Sequence, residues 1–244
     1  MTVQLMHGDC LVRMADIPDG SVDMILADLP YGTTACKWDN VIPFEPLWKH
    51  YWRVLKPNGA VVLFGSEPFS SHLRMSQIKH YRYDWIWKKP KGTGHLSAKF
   101  RPLNDYETIS CFQKQIRYFP QFTIGEPYVH NKGKKHQSDC YNKEKLIPHN
   151  NDGKRHPKRI IQFNTVGKGG HHPTQKPIAL LEYLIRTYTL EGETVLDNTM
   201  GSGSTGVAAV NLSRKFIGIE QDDKYFAIAQ KRIADAQVPK ELWS

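Results

Sequence analysis

Asp28-Leu29-Pro30-Tyr31 sets a carboxylate, a backbone carbonyl at a proline turn and an aromatic ring within four residues. That set suits a planar amine. The carboxylate accepts one N–H, the carbonyl of Leu29 or Pro30 accepts the other, and the tyrosine lies against the ring that carries the amine. The same four residues would also make a plain strand end with a proline turn, so their setting has to decide. A second group, Gly201-Ser202-Gly203-Ser204-Thr205-Gly206, has the spacing of a loop that lets a nucleoside ligand approach the backbone where a helix opens. Glu220 follows about 20 residues on, where an acid takes ribose hydroxyls. Asp197 precedes the loop, where it would oppose a pyrophosphate but suit a cationic amino-acid head group, which argues against NAD or FAD. A glycine-rich helix start without a ligand is the plain alternative.

These groups need the carboxyl ends of strands to stand on. The apolar run Val22–Ala27 reads as a buried strand leading to Asp28, and Val3–Met6, Ala60–Phe64, Asp84–Trp87 and Tyr106–Phe112 read as further strands. Phe44–Leu55 and Pro68–Lys79 read as helices between them. After residue 170 the pattern runs helix Pro177–Thr189, strand Thr194–Leu196, a helix through Val207–Val210, strand Lys215–Ile219 and helix Asp223–Ala236. This is an α/β chain with a mostly parallel central sheet flanked by helices. Too little follows Glu220 to finish a dinucleotide fold, so the missing strands must come from the N-terminal half: the sheet is expected to be circularly permuted.

With 244 residues, one core and a sizeable insertion are expected: a catalytic part at 1–112, an irregular recognition insert at 113–170 and a cofactor-binding part at 171–244. Lys plus Arg exceed Asp plus Glu by 33 to 24, a formal charge of +9, which points to an anionic partner such as nucleic acid. The excess gathers in the insert at Lys132, Lys134, Lys135, Lys143, Lys145, Lys154, Arg155, Lys158 and Arg159, against Asp139, Glu144 and Asp152. Lys88, Lys89 and Lys91 form a second basic stretch near the catalytic end; either could instead be a solvated loop. No apolar run approaches the roughly 20 residues of a membrane helix, and four scattered cysteines without a Cys-x-x-Cys pair suit the reducing cytoplasm. The histidines of the insert match no ligand spacing, so no metal is expected.

The order His7-Gly8-Asp9-Cys10, Ser21-Val22-Asp23 into Asp28-Leu29-Pro30-Tyr31, a basic insert, His172-Pro173-Thr174-Gln175-Lys176-Pro177, then Asp197 to Ser204 and Phe216-Ile217-Gly218-Ile219-Glu220 resembles the β-class DNA amino-methyltransferases over nearly the whole chain. The resemblance implies a Rossmann-like class I methyltransferase fold, S-adenosylmethionine as methyl donor and double-stranded DNA as partner. Position by position, it implies that Asp197, Thr199, Gly201, Ser202, Gly203 and Ser204 wrap the methionine part of the cofactor. Glu220 would accept from the ribose, Asp9 from the adenine amine of the cofactor, and Thr174 with Lys176 would meet the carboxylate. Asp28, Leu29, Pro30 and Tyr31 would be catalytic, on a target nucleotide turned out of the duplex with Tyr31 as stacking face. Lys88, Lys89, Lys91 and the basic residues of the insert would meet phosphates. Trp38, Phe44 and Trp48 stand close enough to line the pocket, although core packing is the commoner use of Phe44 and Trp48.

Two positions depart from the family pattern: Leu29 replaces the first proline of Asp-Pro-Pro-Tyr, and Asn198-Thr199-Met200 stands where Pro-Phe and a small or polar residue are usual. Asp at the start of the catalytic motif resembles members that modify adenine at N6; the alternatives are cytosine at N4 and a DNA-binding module without catalysis. Relatives often work as homodimers and beside a cognate restriction endonuclease, partnerships the motifs do not decide.

Overall fold

In the computed structural model, residues 2–33, 39–130, 149–167 and 175–238 are described. The chain starts with β1 (Val3–His7), α1 (Cys10–Arg13) and β2 (Val22–Ala27), followed by α2 (Phe44–Val54), β3 (Leu55–Gly65), α3 (Phe69–Ser76), β4 (Tyr81–Thr93) and β5 (Asn104–Phe112). All six residues of β2 are buried, which a strand achieves only when both of its faces are covered. Met24 and Leu26 enter one apolar layer, and Val22, Ile25 and Ala27 enter the other. α1, α2 and α3 supply the second layer through residues such as Tyr51, Val54 and Leu73.

The remaining elements are the short β6 (Thr123–Ile124), β7 (Tyr128–His130), β8 (His149–Asn151) and β9 (Lys154–Arg155), then β10 (Ile160–Gln162), α4 (Ile178–Tyr188), β11 (Thr194–Asp197), α5 (Ser204–Asn211), β12 (Lys215–Glu220) and α6 (Asp223–Gln237). α4, α5 and α6 cover the first layer. Eight strands form one sheet in the order β1-β12-β11-β2-β3-β5-β4-β10. β3–β5 and β5–β4 are antiparallel and the other pairs parallel. β1 lies beside β12, with Val3 opposite Phe216 and His7 opposite Glu220. The two ends of the sequence therefore meet within the sheet, as the permutation requires.

Asp23 pins the centre. Its buried carboxylate accepts from Lys56 Nζ at 2.9 Å, Arg117 Nη1 at 3.4 Å and the Thr194 N–H at 3.0 Å, tying β2 to β3 and to the start of β11.

The insert expected at 113–170 is divided. Pro120–Lys158 is a compact unit of its own, apart from the unit formed by Met1–Phe119 with Arg159–Ser244. In the smaller unit β6 pairs with β9 and β7 with β8, and the Arg155 guanidinium lies 4.8 Å from the centre of the Tyr128 ring. Gln113 and Phe119 stay with the sheet unit, their N–H groups donating to His80 and Thr187 carbonyls. β10 joins the large sheet beside β4, with Ile161 opposite Trp87. Three residues held on an edge strand by backbone hydrogen bonds show no periodicity, so nothing in the sequence sets β10 apart from its irregular surroundings. Among the described residues no helix is long and apolar enough to cross a membrane.

Candidate active site

Parallel pairing of β2 with β11 places Leu196 opposite Ile25 and delivers Asp28 and Asn198-Thr199 side by side where the two strands end. Thr199 Oγ1 donates to the Asp28 carbonyl at 3.1 Å, and the Thr199 N–H donates to Asp197 Oδ1 at 3.1 Å. Two motifs about 170 residues apart in the chain are thus hydrogen-bonded at a sheet end, the usual place for a ligand in an open α/β fold. Beyond Asp28, the Tyr31 hydroxyl donates to Asp28 Oδ1 at 2.6 Å, and its ring stacks on Phe69 of α3 with centroids 4.9 Å apart. One face of the expected stacking ring is therefore taken by the protein. Asp39 holds the next turn, accepting from the N–H groups of Gly32 and Thr33 at 2.9 Å. Trp48 is buried against Tyr51 and Phe44 packs on Phe69, so both serve the core.

Lys176 departs furthest from expectation. Its Nζ stands 2.5 Å from Asp28 Oδ2 and 3.4 Å from Glu107 Oε2, while Lys89 Nζ stands 2.5 Å from Glu107 Oε1. Tyr31, Asp28, Lys176, Glu107 and Lys89 form one chain of alternating partners. Lys89, expected on phosphates, is instead tied into this chain, since leaving Glu107 so deeply buried without a cation would be costly. Burial works against the Lys176 ammonium, but Asp28 and Glu107 outweigh it and hold its pKa above the usual lysine value. Burial likewise opposes the Glu107 carboxylate, and Lys176 and Lys89 hold it low. The Tyr31 phenol is pushed well up, by burial first and then by Asp28 and Glu107. Glu107 carried no role in the sequence reading. Its trace there is an acid just ahead of the apolar half of a strand, and its partners lie far away in sequence. Lys176→Ala is expected to lower stability by about 3 kcal/mol, because it strands two carboxylates beside one lysine; urea unfolding measures this.

On the glycine-loop side, both oxygens of Glu220 are engaged by backbone: Oε2 accepts from the Gly201 N–H at 2.8 Å and Oε1 from the Asp222 N–H at 2.9 Å. Asp9 caps α1 through Oδ1, which accepts from the N–H groups of Leu11 and Val12. Ser202 and Ser204 were expected to wrap a ligand, yet both hydroxyls accept from Arg232 of α6, at 2.9 and 3.2 Å. Their hydroxyls shape the loop. Gly203 caps α5 at φ +79°, and a Cβ there would come within 2.9 Å of Ala229. It permits close packing of α5 on α6 and does not line the cleft. Asp197 is buried, and that burial pushes its carboxyl up to about 7, against the hydrogen bonds from Thr205 and Thr199. Asn198 Oδ1 accepts from the Tyr51 hydroxyl at 2.6 Å, while its buried Nδ2 has no oxygen or nitrogen partner among the described residues.

One cleft of about 580 Å³ is lined by both groups, Asp28, Leu29, Pro30, Tyr31, Lys89, Glu107 and Lys176 together with Asp9, Asp197, Asn198, Thr199, Gly201, Ser202, Ser204 and Glu220. That volume suits a small organic ligand. Lys88 and Lys91 are exposed on β4. Lys154, Arg155 and Lys158 belong to the unit Pro120–Lys158. Within that unit Arg155 donates to Asn151 and to the Glu126 carbonyl. Arg159 Nε donates to the Asp84 carbonyl at 2.8 Å, so it helps hold the sheet edge rather than standing wholly clear for a partner. Thr174, Lys132, Lys134, Lys135 and Trp38 lie outside the described residues.

The sequence model of a family described as DNA methylase, N6/N4 methyltransferases, matches residues 22–231, from the strand that leads to Asp28 to the helix after Glu220. The chain belongs to this DNA methylase family. The methylase is 32% identical over 260 residues to the Type II methyltransferase M2.DpnII of Streptococcus pneumoniae, covering 94% of this chain and 88% of the relative. The crystal structure of an M1.HpyAVI–SAM complex superposes with a TM-score of 0.64 at 28% identity, over 95% of this chain and 99% of that one. The PvuII DNA methyltransferase, cytosine-N4-specific, superposes with a TM-score of 0.70 over 99% of this chain and 90% of that one. At 18% identity that likeness concerns the fold of the methylase.

Proposed function

We propose that this DNA methylase transfers a methyl group from S-adenosylmethionine to the N6 amine of an adenine turned out of duplex DNA. The observation that carries the reading is the single cleft, which holds Asp28 and the Asp197–Glu220 group together. The residues present fit the donor molecule. Asp197 offers an anion to its ammonium, and Glu220 keeps lone pairs for ribose hydroxyls beyond the two backbone bonds it accepts. Bound S-adenosylmethionine supplies an electrophilic methyl group on sulfur.

The protein's own task is to prepare the amine. An exocyclic amine is a poor nucleophile because its lone pair is delocalised into the ring. Asp28 Oδ2 accepts one N–H and the Leu29 or Pro30 carbonyl the other, which favours a pyramidal nitrogen with its lone pair aimed at the methyl group. The carboxylate also stabilises the positive charge that grows on nitrogen during transfer, a charge the methylated amine loses by releasing one proton to solvent. To do so, Asp28 exchanges Lys176 for the substrate, and Glu107 keeps the displaced ammonium compensated. Holding both reactants in line supplies much of the remaining acceleration. Lys88 and Lys91 on β4, with Lys154 and Lys158 of the smaller unit, supply cations for phosphates.

Cytosine N4 is the alternative, since it presents the same amine beside a ring nitrogen. Labelled methyl transfer to unmethylated DNA, followed by digestion to nucleosides, separates the two. The label is expected on adenine; label on cytosine overturns the base assignment, and no S-adenosylmethionine binding in calorimetry would restore the reading of a module without catalysis.

A further inference from the structure

β4 and β5 extend past the sheet as a hairpin whose base lines the cleft through Trp87, Lys89 and Glu107. Lys88 pairs with Tyr106, the strands then part, and Thr93 meets Asn104 before the tip at 94–103. The partner strand advances only from Tyr106 to Asn104 over this stretch, so at about 3.3 Å per residue the tip starts roughly 7 Å beyond Lys88. Leu96 is 101% exposed there and Phe100 is 88% exposed. Two large apolar side chains in solvent at the end of a projecting hairpin suit a partner, because no described residue of their own unit covers them.

Backbone hydrogen bonds tie the tip together. Gly94 enters the left-handed region at φ +91°, which lets the chain reverse. Hydrogen bonds from the Ser97 N–H to the Gly94 carbonyl and from the Phe100 and Arg101 N–H groups to the Ser97 carbonyl then wind successive turns. Leu96 and Phe100 both stand exposed on this short winding. Leu103 beds on Gly92, where a Cβ would come 2.9 Å from the leucine Cβ.

The charge around the pair is of one sign. Between Lys88 and Asn104 the chain carries Lys88, Lys89, Lys91, Lys99 and Arg101 and no Asp or Glu. Lys89 is tied to Glu107, and among the described residues the other four make no ion pair. A second copy of the chain would bring these cations against their like, whereas duplex DNA brings phosphates on both sides of an apolar stack of bases.

We propose that Leu96 and Phe100 form a wedge that enters the base stack of duplex DNA next to the target, with Lys88, Lys91, Lys99 and Arg101 on the flanking phosphates. Unstacking one step costs free energy, which burial of the two side chains and the phosphate contacts offset. The wedge rests on the proposed reading of DNA as a substrate whose base is turned out, and it assigns the hairpin the work of holding the gap open.

The test compares wild type with Leu96→Ser/Phe100→Ser on unmethylated plasmid DNA. Permanganate, which oxidises unstacked thymines, is expected to react more strongly with plasmid bound by wild type and at background level with plasmid bound by the variant at equal occupancy. Methyl transfer by the variant is expected to fall about 10-fold or more on native plasmid and less than about 2-fold on heat-denatured plasmid, where no stack has to be opened. Equal thymine reactivity in the two proteins overturns the wedge, and so does an equal loss on native and denatured DNA. A changed sedimentation coefficient of the DNA-free variant would make the tip a contact between protein chains, and binding of wild type but not variant to phosphatidylserine vesicles would make it a membrane contact; either result overturns it too. Wild type that unstacks plasmid DNA without methylating it would instead defeat the proposed reaction and leave the wedge standing.

Discussion

Asp28→Ala is expected to lower methyl transfer by about 10³-fold while the protein still folds and still binds S-adenosylmethionine. The substitution removes the acceptor of one amine N–H and the negative charge that offsets the cationic nitrogen of the transition state. It also frees Tyr31 and Lys176 from the two carboxylate oxygens they now occupy. Glu107 still faces Lys176, so the buried ammonium keeps one counter-charge and the fold survives. Asp28→Asn separates the two contributions. Its amide oxygen still accepts the N–H but carries no charge, so it is expected to fall between wild type and Asp28→Ala. Single-turnover transfer of labelled methyl measures both, and a fully active Asp28→Ala would sink the proposed mechanism.

Asp197→Asn is expected to make the apoprotein more stable and the cofactor site nearly useless. The buried Asp197 carboxyl has its pKa pushed up to about 7 from 3.8. The folded state therefore holds a proton that the unfolded chain releases between about pH 4 and pH 7, and stability is lost as pH rises through that window. The full penalty is about 4 kcal/mol by pH 8, as an upper figure for a carboxylate this deeply buried. Asparagine removes the penalty, so urea midpoints of the variant should be flatter than those of wild type from pH 5 to pH 8 and higher at pH 8. Binding works in the opposite sense. An ammonium beside Asp197 favours the carboxylate, so wild-type affinity for S-adenosylmethionine should rise as pH approaches 7, with proton release that depends on the buffer in calorimetry. A wild type whose stability does not fall between pH 5 and pH 8 would contradict the raised pKa.

Much of this architecture is legible in the residues because each layer has its own period. β2 is apolar throughout and is covered on both faces; α4 repeats its apolar residues at helical spacing and covers one side. The pairing of β1 with β12 follows from counting strands around the glycine loop. What escapes is held by contacts with no local signature. β10 is three residues hydrogen-bonded to an edge strand, and Glu107 acquires meaning only when Lys89 and Lys176 close on it from other parts of the chain. The bonds of Ser202 and Ser204 to Arg232 escape too, because nothing near them in sequence shows Arg232 arriving from α6. The family departure at Asn198 has a physical account here: the residue links the loop to Tyr51 in the core.

Among the described residues β1 has one neighbour in the sheet, β12, and their contacts join residues more than 200 positions apart. β1 lacks this partner until β12 has been made, so the part of the cleft that holds Asp9 beside Glu220 forms only when these distant residues meet. Such long-range closure is slow and leaves an exposed strand edge in the meantime. The cleft that needs Asp9 and Glu220 together therefore depends on the pairing of two strands that local folding cannot bring together.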